Sequence, residues 1–275
     1  WEKAKARDDY GNYFEEWWKT DLTAFIKRDR NHPSVYMWSI GNEVSAATPA
    51  TQKKLVDFIH ALDPTRLVTQ GGTDPTRGMT ADYEKNFQYL DVVGFNGNAE
   101  EVGEFERFQE MNPGRPAVGT EVPHTYQTRG VYRTKTTWRR RDFPAPWELK
   151  NFIPWDKFKS RVFDIPDLSE TEVFPEENEN KYYQSSYDNA SVRISARHSW
   201  RRTSSFPFLM GEYRWGSFDY LGEAEWPQRC GNFGIIDICG FPKDHYYLYQ
   251  SLWSDKPMVH LLPHWTHPAK EGFEI

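Results

Sequence analysis

Arg28-Asp29-Arg30-Asn31-His32-Pro33-Ser34-Val35-Tyr36-Met37-Trp38-Ser39-Ile40-Gly41-Asn42-Glu43 is an apolar run that stops abruptly at an amide and a carboxylate. Val35 to Ile40, rich in β-branched and aromatic residues, reads as a strand buried on both faces, as in a parallel sheet covered by helices. A strand sealed in this way has only its end to offer a ligand. Asn42 and Glu43 are therefore candidates for chemistry, because the carboxyl ends of parallel barrel strands carry the reacting groups. A Glu that merely caps the next helix is the plain alternative.

A second strand-end carboxylate follows 78 positions later, in Arg115-Pro116-Ala117-Val118-Gly119-Thr120-Glu121, a short apolar strand after a Pro-Gly turn signal. At roughly 30 to 40 residues per β/α unit, Glu43 and Glu121 sit two to three units apart. The intervening chain alternates helix and strand. Leu55, Phe58, Ile59 and Leu62 recur at helical spacing until Asp63-Pro64-Thr65 stops them. Residues 67–70 and 91–95 read as strands, separated by a loop with Gly71-Gly72, and Phe105, Phe108 and Met111 suggest a further helix. Upstream, Phe14, Trp18, Leu22, Phe25 and Ile26 form one apolar stripe. With 35–40, 117–121 and 208–213 the strands number five, and the fold class is α/β.

Arg28-Asp29-x-Asn31-His32-Pro33-Ser34, an apolar strand and then Gly41-Asn42-Glu43 resembles the acid/base signature of glycoside hydrolase family 2, the family of β-galactosidases, β-glucuronidases and β-mannosidases. The resemblance implies a (β/α)8 TIM barrel of which about strands four to eight are present. It implies Glu43 as general acid/base, Glu121 as nucleophile, and Asn42 on the sugar's 2-hydroxyl, a contact that strengthens in the transition state. Phe208 to Glu223 resembles the family's eighth strand and following loop. Trp215 is then the flat platform under the sugar ring, with a core tryptophan as the alternative. Asp219, Tyr220 and Glu223 either bind sugar hydroxyls or brace the loop. Gly234-Ile235-Ile236-Asp237 and Gly240-Phe241-Pro242-Lys243-Asp244 look most like the β-galactosidase branch.

The resemblance thus implies a retaining β-glycosidase, of β-galactosidase type, hydrolysing terminal β-glycosides through a covalent glycosyl-enzyme. A β-glucuronidase or β-mannosidase of the same family, or a non-catalytic carbohydrate-binding relative, are the alternatives. The chain departs from the family pattern in two places. Many members carry a Tyr at the end of strand six that hydrogen-bonds the nucleophile, where this chain reads Gly94-Phe95-Asn96-Gly97-Asn98; Asn96, Asn98 or Tyr126 is the candidate substitute. The family's β-glucuronidases carry Asn-x-Lys after strand eight, where this chain has Asn232-Phe233-Gly234.

By the same resemblance, residues 1–257 form a partial barrel domain with a long insertion over 124–206. Residues 258–275 lead toward a β-sandwich domain outside this chain, and β-domains also precede the barrel. The insertion opens with His124, a candidate for positioning substrate, and Arg129, and continues with Arg133, Lys135, Arg139, Arg140 and Arg141. These cations either face the cleft and bind an anionic oligosaccharide or polysaccharide, or pair with the acidic run 170–179.

Composition adds exclusions. The 275 residues are 16% aromatic with 12 Trp, which suits carbohydrate recognition, although a large core uses aromatics too. A net charge of −6 argues mildly against a nucleic-acid partner. No apolar run approaches the roughly 20 residues of a membrane span. Cys230 and Cys239 have neither zinc spacing nor a disulfide framework around them. No organic cofactor is needed. Magnesium or sodium, which some relatives bind, has no carboxylate cluster here to which it can be assigned. Localisation is unassigned, with a periplasmic or secreted bacterial enzyme as the expectation.

Overall fold

Five parallel strands lie side by side in chain order in the computed structural model. It describes residues 1–4, 6–44, 48–73, 87–97, 104–123, 129, 196–223 and 230–261, without the side chains of 197 and 198. The strands are β1 (Met37–Asn42), β2 (Leu67–Gly71), β3 (Val92–Asn96), β4 (Ala117–Glu121) and β5 (Leu209–Glu212). The described helices are α1 (Phe14–Asp29), α2 (Pro49–Leu62), α3 (Glu104–Met111), α4 (Ala196–Ser205) and α5 (Asp244–Trp253). Parallel pairing requires a crossover between neighbours, and α2 and α3 supply it between β1 and β2 and between β3 and β4. This is the α/β order expected for the second half of a TIM barrel.

Contacts divide the chain into two units. One comprises Trp1–Val122 and Arg202–Tyr213 and holds the whole sheet; the other comprises Pro123–Arg201 and Arg214–Ile275. In the first unit, Trp38, Ile40, Val68, Val93, Phe95 and Ala117 from the sheet meet Phe14 and Ile26 of α1, Leu55, Val56 and Ile59 of α2, and Phe105 and Phe108 of α3. The ends of α1 and α2 are legible locally. Glu15 and Glu16 open α1 and Lys27 and Arg28 close it, matching the macrodipole. The Thr48 side chain accepts the Thr51 N–H at the start of α2 and Pro49 fills its first turn, so Glu43 is not that helix's cap.

The strand read as 35–40 begins two residues later. The Val35 N–H is taken up in a turn onto the His32 carbonyl, and the Val35 carbonyl accepts from Arg66. Its expected burial on both faces is also corrected, because Trp38 and Ile40 are buried while Ser39 between them is exposed. Side chains alternate faces along a strand, so Trp38 and Ile40 point into the core with α1 and α2 while Ser39 points to the opposite face. The fully sealed strand is β3, in which every residue from Val92 to Asn96 is buried. Phe25, placed in the α1 stripe, stays 39% exposed, although its ring meets Trp38 edge-on at 5.2 Å.

Two features fix the strands that bear the site. Phe95 meets Phe105 at 5.4 Å and Phe108 at 5.2 Å, and both continue onto Phe206 or Phe208 before β5. This aromatic layer clamps β3, α3 and the approach to β5. Below β1, the buried Asp63 carboxylate accepts from the Trp38 indole (3.0 Å), Arg66 (2.7 Å) and the Thr65 N–H (3.0 Å). Burial alone would raise this carboxyl, but the hydrogen bonds from Thr65, Arg66 and Trp38 outweigh it and hold it well below the usual range.

Asp63→Ala leaves the Trp38 N–H without its acceptor and takes from Arg66 its carboxylate partner, with the Val35 and His32 carbonyls remaining, and is expected to destabilise the protein by about 2 to 3 kcal/mol in urea titrations. The native carboxyl is depressed, so its stabilisation is present above the unfolded carboxylate range, about pH 4, and is lost as pH falls toward the native value. Acid unfolding of Asp63→Asn should accordingly be less steep than that of the parent.

Candidate active site

The ends of β1, β3 and β4 bring three polar side chains onto the side-chain nitrogen of a fourth, Asn96. Asn96 Nδ2 lies 2.7 Å from Asn42 Oδ1, 3.1 Å from Glu43 Oε1 and 2.6 Å from Glu121 Oε2. On the other side of the amide, the Thr120 hydroxyl donates to Asn96 Oδ1 at 2.6 Å. Reversing the amide would set its carbonyl oxygen against three other oxygens, so the donors face the carboxylates. The two glutamate oxygens share a donor, so they stand within about 6 Å of one another, compatible with the roughly 5 to 5.5 Å spacing of a retaining carboxylate pair.

Local backbone irregularity aims these groups. The β1–β2 register slips between Ser39 and Asn42, and the β3–β4 register slips between Phe95 and Asn96, in each case at the carboxyl end. Such slips re-aim a side chain at a barrel rim. Glu43 has a positive φ of 48°, uncommon for a residue with a side chain, and its N–H donates to the Gly71 carbonyl at 3.0 Å. Space for it comes from two glycines. A Cβ at Gly71 would lie 2.5 Å from Asn42 Oδ1, and one at Gly72 2.5 Å from Glu43 Cγ. Gly72 also has a φ of +62°.

Sequence reasoning named Asn42, Glu43, Asn96 and Glu121, and these are the residues brought together. It passed over Gly71, Gly72 and Thr120. Paired glycines directly after an apolar strand signal close backbone approach, which would have found the first two. Thr120 carries no such signal, because only the register against β3 puts its hydroxyl beside Asn96. Of the proposed stand-ins for the strand-six Tyr, Asn96 donates to Glu121, while Asn98 and Tyr126 lie outside the described residues, as does His124.

Trp215, Asp219 and Arg129 belong to the second unit. Trp215 is 37% exposed, with the rings of Tyr220 at 5.8 Å and Phe233 at 6.3 Å supporting it, unlike a core tryptophan. Asp219 is engaged internally: its Oδ1 accepts from the buried Lys243 ammonium at 2.7 Å and from the Gly234 N–H at 2.9 Å. That geometry favours bracing over sugar binding. Burial raises the Asp219 carboxyl even though Lys243 and the Gly234 N–H pull it down. Arg129 donates to Asp237 at 2.8 Å and lies over the Phe241 ring at 4.7 Å. The remaining cations of the basic cluster lie outside the described residues. His245, with Nδ1 shut off from solvent, is held down to about 3 by desolvation and by the charges of Arg214 and Lys243.

Among the described residues, no three His, Cys, Asp or Glu side chains gather where they could hold a metal ion. No described helix is long and apolar enough to cross a membrane.

Comparison with known proteins extends this geometry. The family model described as "Glycosyl hydrolases family 2, TIM barrel domain" matches residues 11–142. A Formosa agariphila protein named "Putative beta-glucuronidase" is 41% identical, aligned over 100% of this chain and 25% of its own length. "Beta-galactosidase BoGH2A" of Bacteroides ovatus is 35% identical over 97% of this chain and 32% of its own. A crystal structure of a β-glycosidase from Bacteroides vulgatus is 69% identical with a TM-score of 0.74, over 99% of this chain and 33% of that one. The chain therefore spans about a quarter to a third of the length of these relatives.

Gly72→Ala, at a φ of +62° and with its Cβ 2.5 Å from Glu43 Cγ, is expected to displace Glu43 and to destabilise the protein by about 1 to 3 kcal/mol in urea titrations. His245 binds its proton less readily when folded, so its contribution to stability is full above the unfolded value near pH 6.5 and is lost progressively toward about pH 3. Over that interval, His245→Leu should flatten the dependence of unfolding free energy on pH by about 1.4 kcal/mol per pH unit.

Proposed function

The chain belongs to glycoside hydrolase family 2, and on that premise we propose that the protein it is part of is a retaining β-glycosidase acting on terminal β-galactosides. The observation that carries the reading is the single Asn96 nitrogen shared by Glu43 and Glu121. In this reading Glu121 attacks the anomeric carbon while Glu43 gives its proton to the glycosidic oxygen. The leaving sugar or aglycone departs and a glycosyl ester forms on Glu121. Glu43, now a carboxylate, takes a proton from water, and the hydroxide equivalent displaces Glu121 with overall retention. Asn42 binds the 2-hydroxyl, and Trp215 supplies the apolar face on which the pyranose rests.

Position 234 supports the galactoside preference over a glucuronide. The uronate-binding Lys implied for the family's glucuronidases would fall there, and a Cβ at Gly234 would come within 2.2 Å of the Asp219 nitrogen. A β-glucuronidase is the second reading, because the Formosa agariphila relative carries that name. Residues 1–257 act in this proposal as part of the barrel, and 258–275 as its exit.

Full-length enzyme should release nitrophenol from the β-galactoside faster than from the β-glucuronide or β-mannoside, and Glu43→Gln or Glu121→Gln should each lower the rate by about 10²- to 10⁴-fold. Faster cleavage of the glucuronide would move the assignment to the second reading. Sugar binding without turnover of any of the three would replace the enzyme by a carbohydrate-binding protein.

A further inference from the structure

Two hydrogens on one nitrogen face three oxygen acceptors, and two of those acceptors are the carboxyl groups proposed to react. An NH2 group can serve only two acceptors fully at a time. The shorter carboxylate contact, 2.6 Å, is to Glu121, and the longer, 3.1 Å, is to Glu43. On the proposed mechanism, on which this inference rests, the pair begins with one negative charge on Glu121. Forming the glycosyl bond consumes that charge, and the proton leaving Glu43 for the glycosidic oxygen creates a new one there. The charge has moved from one acceptor of the Asn96 amide to another.

We infer that Asn96 is a charge-following donor, held in its working orientation by the Thr120 hydroxyl, which serves the Glu121 carboxylate before the covalent step and the Glu43 carboxylate after it. Charge-assisted hydrogen bonds are about twice as strong as neutral ones, so the amide hydrogen tracks the charge with little motion. Thr120 makes this possible. Its Oγ1 lies 2.6 Å from Asn96 Oδ1, and the nearby Phe95 carbonyl at 3.0 Å is its weaker alternative. Without the hydroxyl, the amide loses the partner that keeps its oxygen turned away from the carboxylates. Thr120 is a positioning residue, acting on the reacting atoms through Asn96. In this way the chain meets the need that a strand-six phenol meets in other family members, and adds a contact to the acid/base that serves the second step.

The test uses the full-length enzyme with Thr120→Val, Thr120→Ser and, as reference, Glu121→Gln. A phenyl β-glycoside reads the first step through kcat/KM, and a dinitrophenyl β-glycoside, whose leaving group departs readily, reads the second through kcat. Thr120→Val is expected to lose about 10- to 100-fold in both parameters, as for one hydrogen bond to a charged network, and Thr120→Ser to recover to within about 3-fold of the parent. Should the Val variant fail to fold, Thr120→Ala replaces it with the same expectations. Loss confined to the phenyl substrate, near-parental rates in the Val variant, or failure of Ser to rescue it each overturns the charge-following role while leaving the two glutamates in place. Undiminished turnover by Glu121→Gln instead overturns the mechanism beneath it.

Discussion

Everything at the site depends on a strand that water cannot reach. β3 is buried throughout from Val92 to Asn96, paired along both edges by β2 and β4, with Phe95 packed against Phe105 and Phe108 of α3. A polar side chain at the end of such a strand has no solvent to satisfy it along the strand and must find protein partners at the rim. Asn96 finds four, from β1, the residue after it, and β4. The two glutamates are thereby tied to a rigid element rather than to the loops that follow them.

Rigidity alone would not produce the spacing. Gly71 and Gly72 remove the side chains that would otherwise occupy the positions of Asn42 and Glu43, and Gly72 takes a left-handed backbone with a φ of +62°. Glu43 itself accepts an unfavourable backbone conformation, held there by its N–H bond to the Gly71 carbonyl. Strain at Glu43, clearance at the glycines and the register slips of β1 and β3 are three consequences of a single demand: two carboxyl groups from separate strands must meet one amide.

The second unit shows how charges can be used without reaching a ligand. Lys243 is almost wholly buried and is accepted by Asp219 and the Asn232 carbonyl; Asp237 gathers Arg129 and the backbone N–H groups of Cys239 and Phe241. Burial acts against the Asp237 carboxyl, but Arg129 and those N–H groups keep it below the usual range. Removing one partner from a buried pair costs more than the pair contributes, which makes Lys243–Asp219 scaffolding for the loop that bears Trp215.

The sequence by itself determined the alternation of helix and strand, the ends at which Glu43 and Glu121 stand, and the family. Each of these is written in a local signal: an apolar run ending in an acid, a helical stripe ending in Asp63-Pro64, a motif of consecutive residues. What only the tertiary structure decided is non-local. The packing of only one face of β1 leaves Ser39 exposed, the register of β4 against β3 puts Thr120 on Asn96, and the buried Lys243 takes Asp219 as its ion-pair partner. None of these is visible along the chain, because a side chain's partners across a sheet are set by strand order and register, and neither is encoded in the residues adjacent to it.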